Sequence, residues 1–165
     1  MILDEFTAMP DAPQSWRAIS DRVMGGVSDG GLAREMVAGR AALRLTGRVS
    51  LENDGGFLQM ARDLAPDGAA IDLSGHAGLE LDVFGNGETY GVHLRTAEVT
   101  RPWQSYRASF VALPEWQRLR LPFAGFAAHR IEAPLDLARV RRVGLVAIGR
   151  AFTADLALAR LALYR

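Results

Sequence analysis

Cysteine is absent from the 165 residues of this chain. Disulfides, thiol nucleophiles and thiolate metal sites are therefore excluded. Lysine is absent too, and all 19 basic residues are arginine. A Walker-type phosphate loop, which closes on a lysine, cannot be completed. Net charge is also lacking, because 19 acidic residues balance the 19 arginines. Long-range attraction to nucleic acid or to an acidic membrane surface is not indicated. The arginine bias itself is what a GC-rich genome leaves. No run of about 18 apolar residues occurs, so no helical membrane span is expected. The opening Met1-Ile2-Leu3-Asp4-Glu5-Phe6 has no basic segment before a long apolar run, and it carries acids where a transit peptide carries arginines. These absences set the expectation of a soluble, cytoplasmic chain with no nucleic-acid partner and no membrane insertion.

What the chain does have is apolar content of 49%, enough for a full core. No linker, repeat or low-complexity tract breaks it, so residues 1–165 read as one domain. Strand-like alternation is interrupted by turn residues every ten or so positions, the rhythm of an all-β sandwich or barrel. Ala41–Leu51 sets Leu43, Leu45, Val49 and Leu51 on one face and Arg44, Thr46, Arg48 and Ser50 on the other. Further strands are expected at Phe57–Asp63, Leu79–Phe84, Tyr90–Ala97, Tyr106–Leu113, Gln117–Leu121, Arg142–Ile148 and Asp155–Tyr164, eight or nine in all. Gly85-Asn86-Gly87 reads as a hairpin turn between two of them. Pro66–Gly75 and Phe126–Pro134 read as connections, and Leu135–Val140 as a single helical turn. Ala154–Leu163 is rich in helix formers, yet its leucine alternation makes it a strand.

Chemistry-bearing motifs are sparse. Gly85-x-Gly87 has Tyr90 where a dinucleotide fingerprint needs its third glycine, and no helix follows. His76, His93 and His129 share no metal-ligand spacing, and no serine sits in a nucleophile elbow. Trp16 and Trp116 read as packing residues. Two features stand out. Alternation in Tyr90–Ala97 sends Tyr90, Val92, Leu94 and Thr96 one way and His93 and Arg95 the other. In the next strand Ser105, Arg107 and Ser109 oppose Tyr106, Ala108 and Phe110. Antiparallel pairing would set His93 near Arg107 and Arg95 near Ser105, with Trp103 at the strand entrance. His93, Arg95, Trp103, Ser105 and Arg107 thus form a candidate concave binding face for a sugar, a carboxylate or an acidic peptide. The competing reading is an ordinary solvated sheet face. Arg118 with Arg120, and Arg44 with Arg48, share faces in two other strands.

The second feature is glycine-rich: Asp21-Arg22-Val23-Met24-Gly25-Gly26-Val27-Ser28-Asp29-Gly30-Gly31, with a related stretch at Gly47–Phe57. Such backbone reaches conformations and close approaches closed to other residues. The segment reads either as a plain connection or as a loop over the mouth of the sheet. In the second case its N–H groups bind an anion, or Asp21, Ser28 and Asp29 ligate a cation. The spacing matches no calcium loop, so neither a metal nor any other cofactor is assigned.

Trp16 followed by Asp21-Arg22-Val23-Met24-Gly25-Gly26-Val27-Ser28 resembles the signature of the complex I intermediate-associated protein 30 family. The order continues through Gly47-Arg48-Val49-Ser50-Leu51, Asn53-Asp54-Gly55-Gly56-Phe57, Gly85-Asn86-Gly87 and Leu94-Arg95-Thr96. It ends with Tyr106–Phe110, Trp116-Gln117, Leu121-Pro122-Phe123 and Val143-Gly144-Leu145 through Phe152. The resemblance spans nearly the whole chain. It implies a galactose-binding-like jelly roll related to family 11 carbohydrate-binding modules. Mitochondrial members are non-catalytic chaperones for assembly of NADH:ubiquinone oxidoreductase. Without a transit peptide, this chain resembles a free-standing bacterial relative. The implied partner is a protein assembly intermediate, with a glycan or small ligand as the alternative. An enzyme of unknown type is the third expectation, and no catalytic residues carry over.

Overall fold

The computed structural model describes residues 2–6 and 16–165. Among them the strands run β1 (Ile2–Glu5), β2 (Trp16–Ser20), β3 (Asp29–Val37), β4 (Arg40–Val49), β5 (Phe57–Asp63) and β6 (Gly78–Phe84). They continue as β7 (Thr89–Thr96), β8 (Ser105–Val111), β9 (Gln117–Pro122), β10 (Ala127–His129), β11 (Val140–Ile148) and β12 (Phe152–Tyr164). They form two six-stranded sheets with antiparallel pairing. The first is ordered β3-β4-β12-β6-β9, with β1 also on β12. The second is β10-β8-β7-β11-β5-β2. The two sheets share one core. Leu43, Leu45, Leu81 and Leu156 come from the first, and Met60, Val92, Leu94 and Leu145 from the second. The all-β sandwich read from the alternation is the fold. Among the described residues no helix is long and apolar enough to cross a membrane.

The alanine- and leucine-rich tail is β12, the strand that binds the first sheet together. Its Leu156 and Leu158 face the core, and so do Leu161 and Leu163. The change of phase coincides with an irregularity in its pairing to β6 between Leu158 and Arg160. An extra residue shifts which face the following side chains occupy. On the outer face, Ala157 and Ala159 leave shallow relief over which Phe84 and Trp116 lie. Trp16 is buried and donates its indole N–H to Asp4 at 2.8 Å.

The glycine pair at Gly85-Asn86-Gly87 does not make a hairpin. β6 belongs to the first sheet and β7 to the second, so the turn crosses between layers. Gly85 is glycine for contact: an added Cβ would lie 2.3 Å from the Ala112 Cβ. Gly85 and Gly87 donate instead to the Leu113 and Ala112 carbonyls at 2.9 and 2.7 Å. Asn86 ties the corner down, donating to the Thr153 carbonyl at 2.9 Å and accepting from the Tyr90 hydroxyl at 2.6 Å. Strands β1, β2 and β3 lie outside the expected set, and β10 falls inside the expected Phe126–Pro134 connection. The helical turn is a short 3-10 segment at Leu137–Arg139, capped by Asp136.

Candidate functional site

The glycine-rich stretch is a buried clasp. Asp21, at 0% exposure, begins a 3-10 turn and points its carboxylate inward. Oδ1 accepts from the Ser28 N–H at 2.9 Å. Oδ2 accepts from the Ser28 hydroxyl and the Gly56 N–H, both at 2.5 Å, and from Phe57 N–H at 3.3 Å. The Ser28 hydroxyl oxygen in turn accepts from the Ser50 N–H at 2.8 Å. Burial pushes the Asp21 pKa up, but the Ser28 hydroxyl and the backbone donors outweigh it and hold the carboxyl below its usual range. The flanking glycines are explained by this carboxylate. A Cβ at Gly26 would sit 2.5 Å from Asp21 Cγ, and one at Gly55 would sit 2.4 Å from its Oδ2. Arg22 closes the turn by donating to the Ser28 carbonyl at 3.0 Å. Asp29 is exposed and starts β3. Asp21 and Ser28 are therefore spent on one another and on backbone. Among the described residues, no group of three or more metal-ligating side chains is assembled.

Gly55, Gly56 and Phe57 also form one end of a cleft of about 320 Å³ on the outer face of the second sheet. The clasp thus fixes a wall of this cleft, in place of the lid over its mouth that one reading of the sequence expects. Strand register builds the floor. His93 on β7 pairs with Arg107 on β8 and with Gly144 on β11. Arg142 on β11 pairs with Arg95 on β7. Gln59 on β5 fills the space that a side chain at Gly144 would need, since a Cβ there would lie 2.6 Å from its Oε1. Ile19, Phe57, Val146 and Ile148 make the apolar side. Trp103 stands at the rim, 53% exposed, with the Arg101 guanidinium 5.9 Å from its ring centroid. The rim turn is pinned by Gln104, whose amide oxygen accepts from the Thr100 and Arg101 N–H groups at 3.2 and 3.1 Å. A second hollow of about 350 Å³, bordered by Ser109 and Arg150, continues the groove past His93, Arg107 and Ile148.

Electrostatics separate this face from the opposite one. On the first sheet, Arg118 donates to both oxygens of buried Asp82 at 2.8 and 3.0 Å. Arg120 and Arg160 donate to buried Glu80 at 2.8 and 2.6 Å, and Arg44 forks onto Asp155 at 2.8 and 2.7 Å. The arginine partners hold Glu80 and Asp82 below the usual carboxylate range. Arg118, Arg120 and Arg44 thus belong to a self-neutralised lattice, away from the cleft. In the cleft, half-buried Arg107 donates to Ser105 Oγ at 2.8 Å, and half-buried Arg95 donates to the Arg101 carbonyl at 3.4 Å. Neither has a carboxylate in salt-bridge range among the described residues. Burial, then Arg142 and Arg141, lowers the Arg95 pKa, and burial followed by Arg130 lowers that of Arg107. Arg142 bonds Asp63 at 3.0 Å, but Asp63 is shared with Arg17 at 3.6 Å and does not line the cleft. Burial, and then Arg107 and His129, pushes His93 down to about 3. Its imidazole is neutral at pH 7.

The expected pairing of His93 with Arg107 is present, and Trp103 and Arg95 line the same cleft. Ser105 is buried beside Arg107 and braces it. Sequence reasoning missed Arg142, Gln59 and the apolar side from β2, β5 and β11. β11 is buried on both faces from Val143 to Ala147, so its outward Arg142–Gly144–Val146 row is masked by apolar neighbours. Gln59, flanked by Leu58 and Met60, was the available signal in β5.

The family model of complex I intermediate-associated protein 30 matches residues 5–158. No curated protein matches the sequence. Solved structures share the fold. A family 11 carbohydrate-binding module of the cellulosomal cellulase Lic26A-Cel5E of Clostridium thermocellum superposes with a TM-score of 0.76 at 13% identity, covering 99% of this chain and 93% of its own. A family 11 module from Clostridium thermocellum in complex with a β-1,3-1,4-mixed-linked tetrasaccharide gives 0.71 at 13% identity, covering 97% and 94%. The family 30 module of Cel9D-Cel44B from Clostridium thermocellum gives 0.67 at 16% identity, covering 96% of each. Together with the two-sheet architecture, these likenesses give the jelly-roll class of sandwich.

Proposed function

This chain belongs to the complex I intermediate-associated protein 30 family, and from that premise we propose that it is a non-catalytic binding module. The second sheet's outer face is the binding face. Its partner is a protein subunit, held during assembly of a multi-subunit complex of the respiratory type in the family's name. One observation carries this reading: two half-buried guanidinium groups lie in a cleft that no carboxylate lines. Unmatched buried charge costs folding free energy, whereas the buried carboxylates of the first sheet, Glu80 and Asp82, have arginine partners; the unmatched pair in the cleft points to a ligand. The non-catalytic assignment is supported by His93. It makes no hydrogen bond to a carboxylate or hydroxyl among the described residues, so it lacks the orienting partner of a general base.

Affinity capture of the tagged protein from its native host, followed by mass spectrometry, tests the reading. Subunits of NADH:ubiquinone oxidoreductase are expected in the eluate. The Arg95→Ala/Arg107→Ala double variant is expected to lose them at an unchanged melting temperature, whereas Arg48→Ala, on the other sheet, retains them. Equal capture by the double variant contradicts the proposal.

A second reading is favoured by Trp103, whose exposed indole offers a stacking platform at the cleft rim. It makes the module a carbohydrate binder. Glycan-array binding that is lost in Trp103→Ala supports it, and an array without signal rejects it.

A further inference from the structure

The donor and acceptor inventory of the cleft narrows what it can hold. A sugar hydroxyl both donates and accepts, so a site for a neutral glycan must present acceptors as well as donors. Among the described residues this cleft is lined by no Asp or Glu; its Arg95 and Arg107 have no carboxylate partner, and its Arg142 is paired with Asp63 outside it. Each guanidinium offers five N–H donors and no acceptor. The side-chain acceptors are limited to the Gln59 amide oxygen and one nitrogen of neutral His93. Such a set suits an oxyanion, and the planar fork of arginine suits a carboxylate.

The spacing adds a second constraint. His93 lies directly opposite Arg107, and Arg95 is two residues along β7. Arg95 and Arg107 are therefore diagonal neighbours, whose Cα atoms stand about 7–8 Å apart in an antiparallel pair. Same-face residues of an extended peptide repeat at about 6.6 Å. Two acids at positions i and i+2 of such a peptide meet the two arginines.

We propose that the cleft recognises an extended acidic segment of a partner polypeptide, with alternate carboxylates on Arg95 and Arg107. This rests on the reading of the second sheet as the binding face. One aromatic platform and one apolar wall favour a polypeptide over a glycan, which would ask for repeated stacking surfaces.

The test is a fluorescence titration of the full chain, with Trp103 as the exposed reporter. The probe is a blocked heptapeptide with glutamates at positions 2 and 4 and alanine at the other positions. Binding is expected, weakened by ~10-fold or more when both glutamates are replaced by glutamine. Arg95→Gln and Arg107→Gln are expected to weaken it similarly, and added salt to weaken it further. Where an arginine variant fails to fold, the glutamine peptide on the wild-type chain tests the same charge pairing. Equal affinity for the glutamine peptide overturns the proposal. So does binding of a neutral mixed-linked tetrasaccharide, or of trigalacturonate, in the absence of peptide binding. The broader reading fails separately: if the double variant loses its captured subunits but no peptide binds, only the ligand chemistry is wrong.

Discussion

Replacing Asp21 by asparagine changes one oxygen to an amide nitrogen and removes one charge. In the folded chain, three of its four accepted hydrogen bonds are 2.9 Å or shorter. Bonds to a charged group each contribute about 1.5–3 kcal/mol. The gross loss is partly offset, because burying a carboxylate is itself costly. The Ser28 hydroxyl also keeps the Ser50 carbonyl as an acceptor at 3.2 Å. The net expected for Asp21→Asn is about 2–3 kcal/mol, and for Asp21→Ala about 3–5 kcal/mol. For a chain of this size that lowers Tm by roughly 5–10 °C for asparagine. Urea unfolding at pH 7 measures it. The pH dependence has a defined sign. The folded pKa of Asp21 lies below its unfolded value, so its contribution is present at neutral pH. It is lost as the pH falls through the folded pKa, and the gap between wild type and Asp21→Asn closes on acidification. An asparagine variant within about 0.5 kcal/mol of wild type at pH 7 refutes the clasp, since side-chain volume alone would then explain the site.

Other perturbations follow from the same geometry. His93 has a folded pKa of about 3 against an ordinary 6.5, so the unfolded chain takes up its proton first as the pH drops below 6.5. Wild type should lose about 1–2 kcal/mol more stability between pH 7 and pH 5 than His93→Gln. Equal losses in urea titrations would show that the imidazole protonates freely. Arg107→Gln removes a half-buried, unmatched cation, and thermal unfolding should show an unchanged or higher Tm; a drop of more than about 5 °C, equivalent to ~1–2 kcal/mol, would make Arg107 a structural residue. Gly85→Ala drives a methyl into Ala112 at the crossing between sheets and should cost about 2–3 kcal/mol by urea unfolding. A cost below about 0.5 kcal/mol would contradict that packing.

Much of the sandwich was legible because alternation reports burial on one face. Phe57–Asp63 has the bounds read from sequence, and the tail is a strand despite its helix-forming composition. Connectivity was less legible. Gly85-Asn86-Gly87 has hairpin chemistry, yet it crosses between sheets because Ala112 and Asn86 hold it there. The edge strand β3 hid behind the glycines that begin it. At the site, β7 and β8 alternate cleanly, so His93, Arg95 and Arg107 were visible as one face. Their lack of counter-ions was not, because Asp82 and Glu80 lie near Arg118 and Arg120 only once the first sheet is paired. The role of Asp21 was likewise invisible, since its partners at Gly56 and Phe57 lie 35 and 36 residues away.

On the proposed reading, the arginine-lined cleft of the second sheet, and not the ion lattice of the first, is the binding face. Chemical-shift mapping of the 15N-labelled chain during titration with the diglutamate heptapeptide tests it most directly. Saturable shifts are predicted at Gly91, His93, Arg95, Arg107, Gly144 and the Trp103 indole N–H. Arg118, Arg120 and Arg160 are predicted to stay unmoved. Shifts confined to the first sheet, or none at saturating peptide, would contradict it.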